Sequence, residues 1–288
     1  MKILNPLYDW AFKYLLDNND LAKKFLSAIL KQNVTHLETR NIELPLLKEG
    51  NPFYTRFDFK AIIETVGKTE EVLIELQKYR NTDPVSRFRT YLGESYMKEE
   101  TYKDAAGTAQ KSALPLIAVY ILGYCPPEFE IPYIIVRNKI YNGVDETELA
   151  IESKTVSLLT HNAYFLITTP PKNYEWQGSR QEAIIRLFRQ KLKKEERNTI
   201  YELEQEPEDE VAKELAAYLN RGTQEEKIIK QLRAEEEYYE KIGDLEISLN
   251  QTQQEKAEAL KQAEEAQQRE AEAQKREAEE RKQREAAQ

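Results

Sequence analysis

The sequence predicts a mixed α/β domain that runs into a long charged helix, and three observations carry that reading. A hairpin pattern, Phe53–Val66 (FYTRFDFKAIIETV), then Gly67-Lys68, then Val72–Gln77 (VLIELQ), is rich in aromatic and β-branched residues. After a helical stretch comes the unbroken apolar run Leu116–Leu122 (LIAVYIL), bounded by Pro115 and Gly123. Residues 255–288 are almost only Ala, Glu, Gln, Lys and Arg, and Leu260 is their one large apolar residue.

The elements follow in order. Asn5-Pro6 can start a first helix whose apolar side is Trp10, Phe12, Leu15 and Leu16, because proline is tolerated in a first turn. Asn18-Asn19-Asp20 breaks that pattern and caps a second helix, in which Leu21, Phe25, Leu26, Ile29 and Leu30 recur at helical spacing. Ile42–Leu47 is a weaker strand ahead of the hairpin. Pro84 precedes a helix with Val85, Phe88, Tyr91, Leu92 and Tyr96. Leu116–Leu122 reads as a strand buried on both faces, and Ile131–Val136 as another. The order is α, β-β-β, α, β. Beyond Asn138, Glu146–Leu159 reads as helix, Tyr164–Thr168 as a short strand and Glu182–Leu192 as a basic-faced helix. Acidic Glu202–Glu210, with Pro207, marks a joint before the helix Val211–Leu219.

Three parts result: a core over 1–140, a mixed, mainly helical part of the same domain over 141–220, and a helical tail over 221–288. In the tail, Glu225–Leu249 still offers apolar positions, among them Ile228, Ile229 and Leu232, that could seat against the domain or a second copy. A homo-oligomer, if one forms, is expected through 225–249. Residues 255–288 have no a/d seam for a stable coiled coil. Pairs such as Glu265–Arg269 and Glu272–Arg276 support an exposed single helix, each worth about 0.2–0.5 kcal/mol.

Composition bounds the function. One cysteine, Cys125, excludes an internal disulfide framework. The N-terminus soon breaks into charges, so no secretory leader is expected, and the longest apolar run, Leu114–Cys125, has 12 residues, too few to span a bilayer as a helix. The expected setting is cytoplasmic, with no membrane partner. Residues 1–138 hold 18 basic and 18 acidic residues, so the whole net charge of −9 lies in the remainder. A strongly basic nucleic-acid footprint is absent from these totals, although a neutral domain can hold a local basic groove. His36 and His161 stand far apart without a cysteine cluster, which argues against zinc. No GxxxxGK[ST] or GxGxxG occurs.

The informative constellation lies on the hairpin. Residues two apart on a strand share a face, so Asp58 goes with Lys60 and Glu75 goes with Gln77. Pairing through the Gly67 turn lets the two carboxylates converge on one polar face. Such an oxygen-rich site suits Mg²⁺, which prefers carboxylates plus water and can activate water at a phosphodiester. An acid pair on the outer face of an antiparallel hairpin is also ordinary, and a cross-strand charge pair would account for Asp58. Likewise Asp9 and Lys13, four apart on the first helix, can be a plain surface ion pair, and Arg87 and Tyr91 can be helix packing.

Asp58 followed by Glu75-Leu76-Gln77 resembles the D…(D/E)-x-K signature of PD-(D/E)XK phosphodiesterases. Further pieces resemble the transposase-like nucleases of that group, relatives of bacterial recombination-promoting nucleases. They are Asp9-Trp10-Ala11-Phe12-Lys13, Phe25-Leu26-Ser27-Ala28-Ile29-Leu30, Arg56-Phe57-Asp58, Arg87 with Tyr91, and Leu114–Leu122. The resemblance spans about residues 5–140. It implies a restriction-endonuclease-like αβββαβ core and hydrolysis of DNA dependent on Mg²⁺ or Mn²⁺. Asp58 and Glu75 would be the metal ligands, Asp9 an added acid, and Lys13, Arg87 and Tyr91 the DNA contacts. The lysine position falls on Gln77, which can orient water through its amide but carries no charge; by parity Lys60 is the better substitute for that charge, ahead of Lys78. The competing expectation is a catalytically inactive scaffold that recruits partners through its helical tail.

Overall fold

The computed structural model describes residues 1–40, 43–48, 51–56, 59–78, 84–104, 106–188 and 199–237, with positions 241, 252 and 256 beyond them. Asp58, the side chain of Arg87 and most of the tail expected over 221–288 lie outside the described residues.

The chain begins with a short strand, β1 (Lys2–Leu4), and two helices, α1 (Asp9–Asp17) and α2 (Asn19–Leu30). Asn18 separates them and caps the second, its side chain accepting from the Leu21 N–H. Five strands follow: β2 (His36–Arg40), β3 (Glu43–Lys48), β4 (Asn51–Arg56), β5 (Phe59–Thr65) and β6 (Lys68–Gln77). β5 and β6 form the expected hairpin around Gly67, whose φ of +77° costs glycine nothing because it lacks a Cβ. The segment expected as one strand over Phe53–Val66 is divided between β4, which pairs with β3, and β5, which pairs with β6 and β2. The third strand of the main sheet is therefore β2, and the Ile42–Leu47 candidate corresponds to β3 in a separate hairpin. β2 buries a single apolar side chain, Leu37, so it carries little hydrophobic periodicity.

Helix α3 (Pro84–Met97) leads through the hairpin β7 (Glu100–Lys103) and β8 (Ala109–Ser112) into β9 (Leu116–Leu122). Then come β10 (Tyr133–Val136), β11 (Ile140–Tyr141), β12 (Glu148–Leu149), α4 (Lys154–Leu159) and β13 (His161–Ile167). The helix expected over Glu146–Leu159 is confined to α4, because Ser153 caps it by accepting from the Val156 N–H and the residues before it pair as β11 with β12. The chain closes with α5 (Arg180–Arg186), β14 (Ile200–Glu202) and α6 (Glu210–Gly222), and a helical run over 226–237.

Six strands form one mixed sheet in the order β10-β13-β9-β6-β5-β2. β6, β9 and β13 run parallel, and the outer strands pair antiparallel. Both faces of its centre are covered, as parallel strands require. On one face Ile74, Leu76, Val119, Ile121 and Leu166 join Phe12, Phe25, Phe188, Leu215 and Leu219 from the helical layer in one core. On the other, Leu73, Ala118 and Ala163 pack against Phe88 and Tyr91 of α3. The parallel pair β6–β9 is drawn tight at its end: a Cβ on Gly123 would lie 2.4 Å from the Lys78 carbonyl oxygen.

Residues 141–220 thus belong to the same core as 1–140. The chain divides into two compact units, Met1–Glu235 and Glu236–Gln288. Within the first, Leu232 is fully buried in the core, with Ile228 and Ile229 packed against it. These three positions are satisfied by the domain itself, which takes them away from the expected oligomer surface at 225–249. Among the described residues, no helix is long and apolar enough to cross a membrane.

Candidate active site

Alternation along β6 divides its side chains between the two layers. Ile74 and Leu76 enter the large core, while Glu75 and Gln77 project to the α3 side. There Glu75 is 2 % and Gln77 7 % exposed, and both line a pocket of about 420 Å³. Phe88 and Arg89 of α3, Tyr120 of β9, Phe165 of β13 and the segment after β9 complete its walls. Tyr120 and Phe165 stack with ring centres 4.6 Å apart, and Phe88 lies 4.4 Å from Tyr120. The pocket therefore joins a charged and an amide side chain to an aromatic wall. Burial, and then the neighbouring Glu75 carboxylate, hold the Tyr120 phenol well above its ordinary pKa.

Gln77 is oriented by a residue that the sequence reading did not single out. The Tyr124 hydroxyl donates to Gln77 Oε1 at 2.9 Å. With Oε1 engaged, the amide presents its Nε2 hydrogens as donors, the role a lysine at this position would fill. Arg89, exposed on α3 at the pocket wall, is the second such residue. Both arrive from elements distant in sequence, and neither carries a local signal beyond its residue type.

The remaining candidates fall in different places. Lys60 pairs across the hairpin with Leu73 and shares the α3 side, but its ammonium lies 2.6 Å from Glu71 Oε1 and 2.8 Å from Glu100 Oε1. Ser95 of α3 donates to the same Glu71 oxygen at 2.7 Å. Lys60 is thus committed to a buried ion pair. Lys78 stands 3.4 Å from the centre of the Tyr8 ring, on the α1 side. Tyr91 is fully buried against Phe88 and the sheet, so it packs α3 and presents no surface to DNA. Lys13 lies 5.6 Å from the Trp10 ring centre on α1. Asp58 falls outside the described residues. It is one peptide bond from Phe59, whose cross-strand partner Ile74 adjoins Glu75. Cys125 donates weakly to the Pro126 and Phe129 carbonyls, and burial pushes its thiol up, the behaviour of an inert side chain.

Asp9 opens α1 on the opposite side of the sheet, beside an acid from the C-terminal helical run. The Asp9 and Trp10 backbone N–H groups donate to the Glu235 carboxylate at 2.8 and 3.2 Å, satisfying orphan donors of the helix start. Burial, followed by the Asp9 charge, pushes Glu235 up from 4.5 to about 7. The folded chain then retains a proton that the unfolded chain has lost, so this group makes stability fall as pH rises from about 4.5 to about 7. Glu235→Gln should remove that slope. Urea midpoints of both proteins, compared across this range, measure it.

Among the described residues, no group of three or more Asp, Glu, His and Cys side chains is placed to hold a metal ion. Glu75 offers one carboxylate at the pocket, a donor type that suits Mg²⁺, which takes one or two carboxylates and completes its shell with water. In comparisons with known proteins, no family model, curated protein or solved structure matches the chain.

Proposed function

We propose that the chain is a metal-dependent DNA endonuclease of the PD-(D/E)XK type, hydrolysing phosphodiester bonds with Mg²⁺ or Mn²⁺. The observation that carries the reading is the pairing of Glu75 with Gln77 on one face of β6, both opening into the same pocket. The succession α2, β2, β5, β6, α3, β9 supports it, since this is the αβββαβ order that the resemblance implies. A bound Mg²⁺ would supply an activated water and neutralise charge developing on the phosphate. Glu75, with Asp58, would hold that ion. Gln77, with its carbonyl oxygen fixed by Tyr124, would turn its amide hydrogens toward the water or a phosphate oxygen. Arg89 would contact the DNA backbone.

One observation favours a second reading, a catalytically inactive interaction protein. Lys60 and Lys78, which could replace the missing lysine charge, are held by Glu71 with Glu100 and against Tyr8. Metal binding separates the two. The nuclease reading expects Mg²⁺ or Mn²⁺ to raise the melting midpoint of the wild type and not of Glu75→Ala. Equal midpoints with and without metal would favour the inactive protein.

A further inference from the structure

The row of side chains that begins with Glu75 continues into aromatic rings. β6, β9 and β13 run parallel and in register, with Glu75 beside Tyr120 and Tyr120 beside Phe165. Register partners share a face of the sheet, so carboxylate, phenol and phenyl stand side by side across about 10 Å. Phe88 of α3 leans on Tyr120, ring centres 4.4 Å apart, and Phe129 meets Phe165 edge-on at 5.5 Å. The Phe129 ring stands on a turn closed by its backbone N–H, which donates to the Pro126 carbonyl at 3.0 Å. Tyr120, Phe129 and Phe165 are only half-buried and line the pocket of about 420 Å³ together with Phe88, which leaves apolar ring surface open to an occupant.

Hydrolysis of a phosphodiester calls for the acid, the ion and a hydrogen-bond donor, and gives these rings no part. A continuous duplex keeps its bases stacked inside, and its backbone offers the site polar sugar and phosphate. An unpaired base instead carries flat faces that aromatic side chains cover, with amino and carbonyl groups at its edge. The two exposed charges on the pocket wall divide accordingly: Arg89 suits a phosphate, whereas Glu128 repels one and can accept from a base amino group. We propose that the pocket takes one unpaired nucleobase next to the cut phosphate. DNA with an unpaired nucleotide is then the preferred substrate, and continuous duplex is cut more slowly because a pair must first open. The proposal rests on the nuclease reading and names the substrate class of that site.

Three labelled DNAs test it: a duplex paired throughout, the same duplex with one bulged adenosine, and the single strand, the last two also with an abasic residue in place of that adenosine. Cleavage in Mg²⁺ is scored at the phosphates flanking the marked position. The wild type is expected to cut beside an unpaired adenosine at least about tenfold faster than beside a paired one, and to lose that gain at the abasic residue. The bulged duplex and the single strand distinguish a base extruded from a helix from one in an unpaired strand. Phe129→Ala should lower the preference at least about fivefold, the loss of one aromatic contact to the base. Its circular dichroism spectrum reports folding, and the abasic substrates decide independently of it. Equal rates beside paired and unpaired adenosine would overturn the proposal, as would a gain that persists at the abasic residue, and both results leave the nuclease reading in place. No cleavage of any substrate by folded wild type would remove the nuclease reading, and the proposal with it.

Discussion

Lys60→Met is expected to destabilise the protein by about 3–5 kcal/mol, the cost of breaking a buried ion pair by removing one partner. The Lys60 and Glu71 side chains are 4 % and 2 % exposed, so the carboxylate left behind would keep Ser95 as a donor and lose its cation. Its desolvation would then be uncompensated. Glu100, the other partner of Lys60, is 17 % exposed and closer to water, and it should suffer less. The double variant Lys60→Met, Glu71→Met removes both charges and should recover most of the loss, because a well-packed apolar pair can match a buried salt bridge. Urea denaturation of the two single variants and the double variant gives the coupling directly. Additive losses would mean that the pair does not act as a unit.

Glu75→Gln is expected to lower metal-dependent cleavage of a labelled DNA duplex by more than about 100-fold, above the 10–100-fold usual for an outer-shell partner of a metal site. The substitution keeps the side-chain volume and removes a buried charge, so the fold should persist. The circular dichroism spectrum and melting midpoint report folding, and the cleavage rate reports the site. A variant that is folded and retains the wild-type rate would remove Glu75 from the proposed machinery.

The fold was legible where burial imposes a pattern. β9 is buried on both faces, by the large core and by α3, so LIAVYIL stands out as an unbroken run between Pro115 and Gly123. The β5–β6 hairpin announces itself through Gly67 and β-branched residues on both sides. Edge and satellite strands leave weaker traces. The residues of β7 and β8 are exposed or half-buried and have no apolar face to alternate, and β1 and β14 are three residues each. The sequence pattern shows β13 only from Tyr164 onward because its first residues, His161 and Asn162, are polar; His161 is accommodated by the Tyr96 hydroxyl at 2.8 Å.

The candidate site divides in the same way. That Glu75 and Gln77 share a face follows from strand parity alone, and the structure places both at one pocket. The commitment of Lys60 to Glu71 and Glu100 depends on register and on the position of β7, which no local pattern encodes. Tyr124 and Arg89 reach the pocket from beyond β9 and from α3, through tertiary packing alone.

Nicking of supercoiled plasmid by the purified chain is the most direct test of the nuclease reading. It should be run in Mg²⁺, in Mn²⁺ and in EDTA, beside Asp58→Ala and Glu75→Ala. Nicking in either metal, none in EDTA, and none by either folded variant is the expected result. Absence of cleavage by folded wild type in both metals, or nicking undiminished in the two variants, would contradict it.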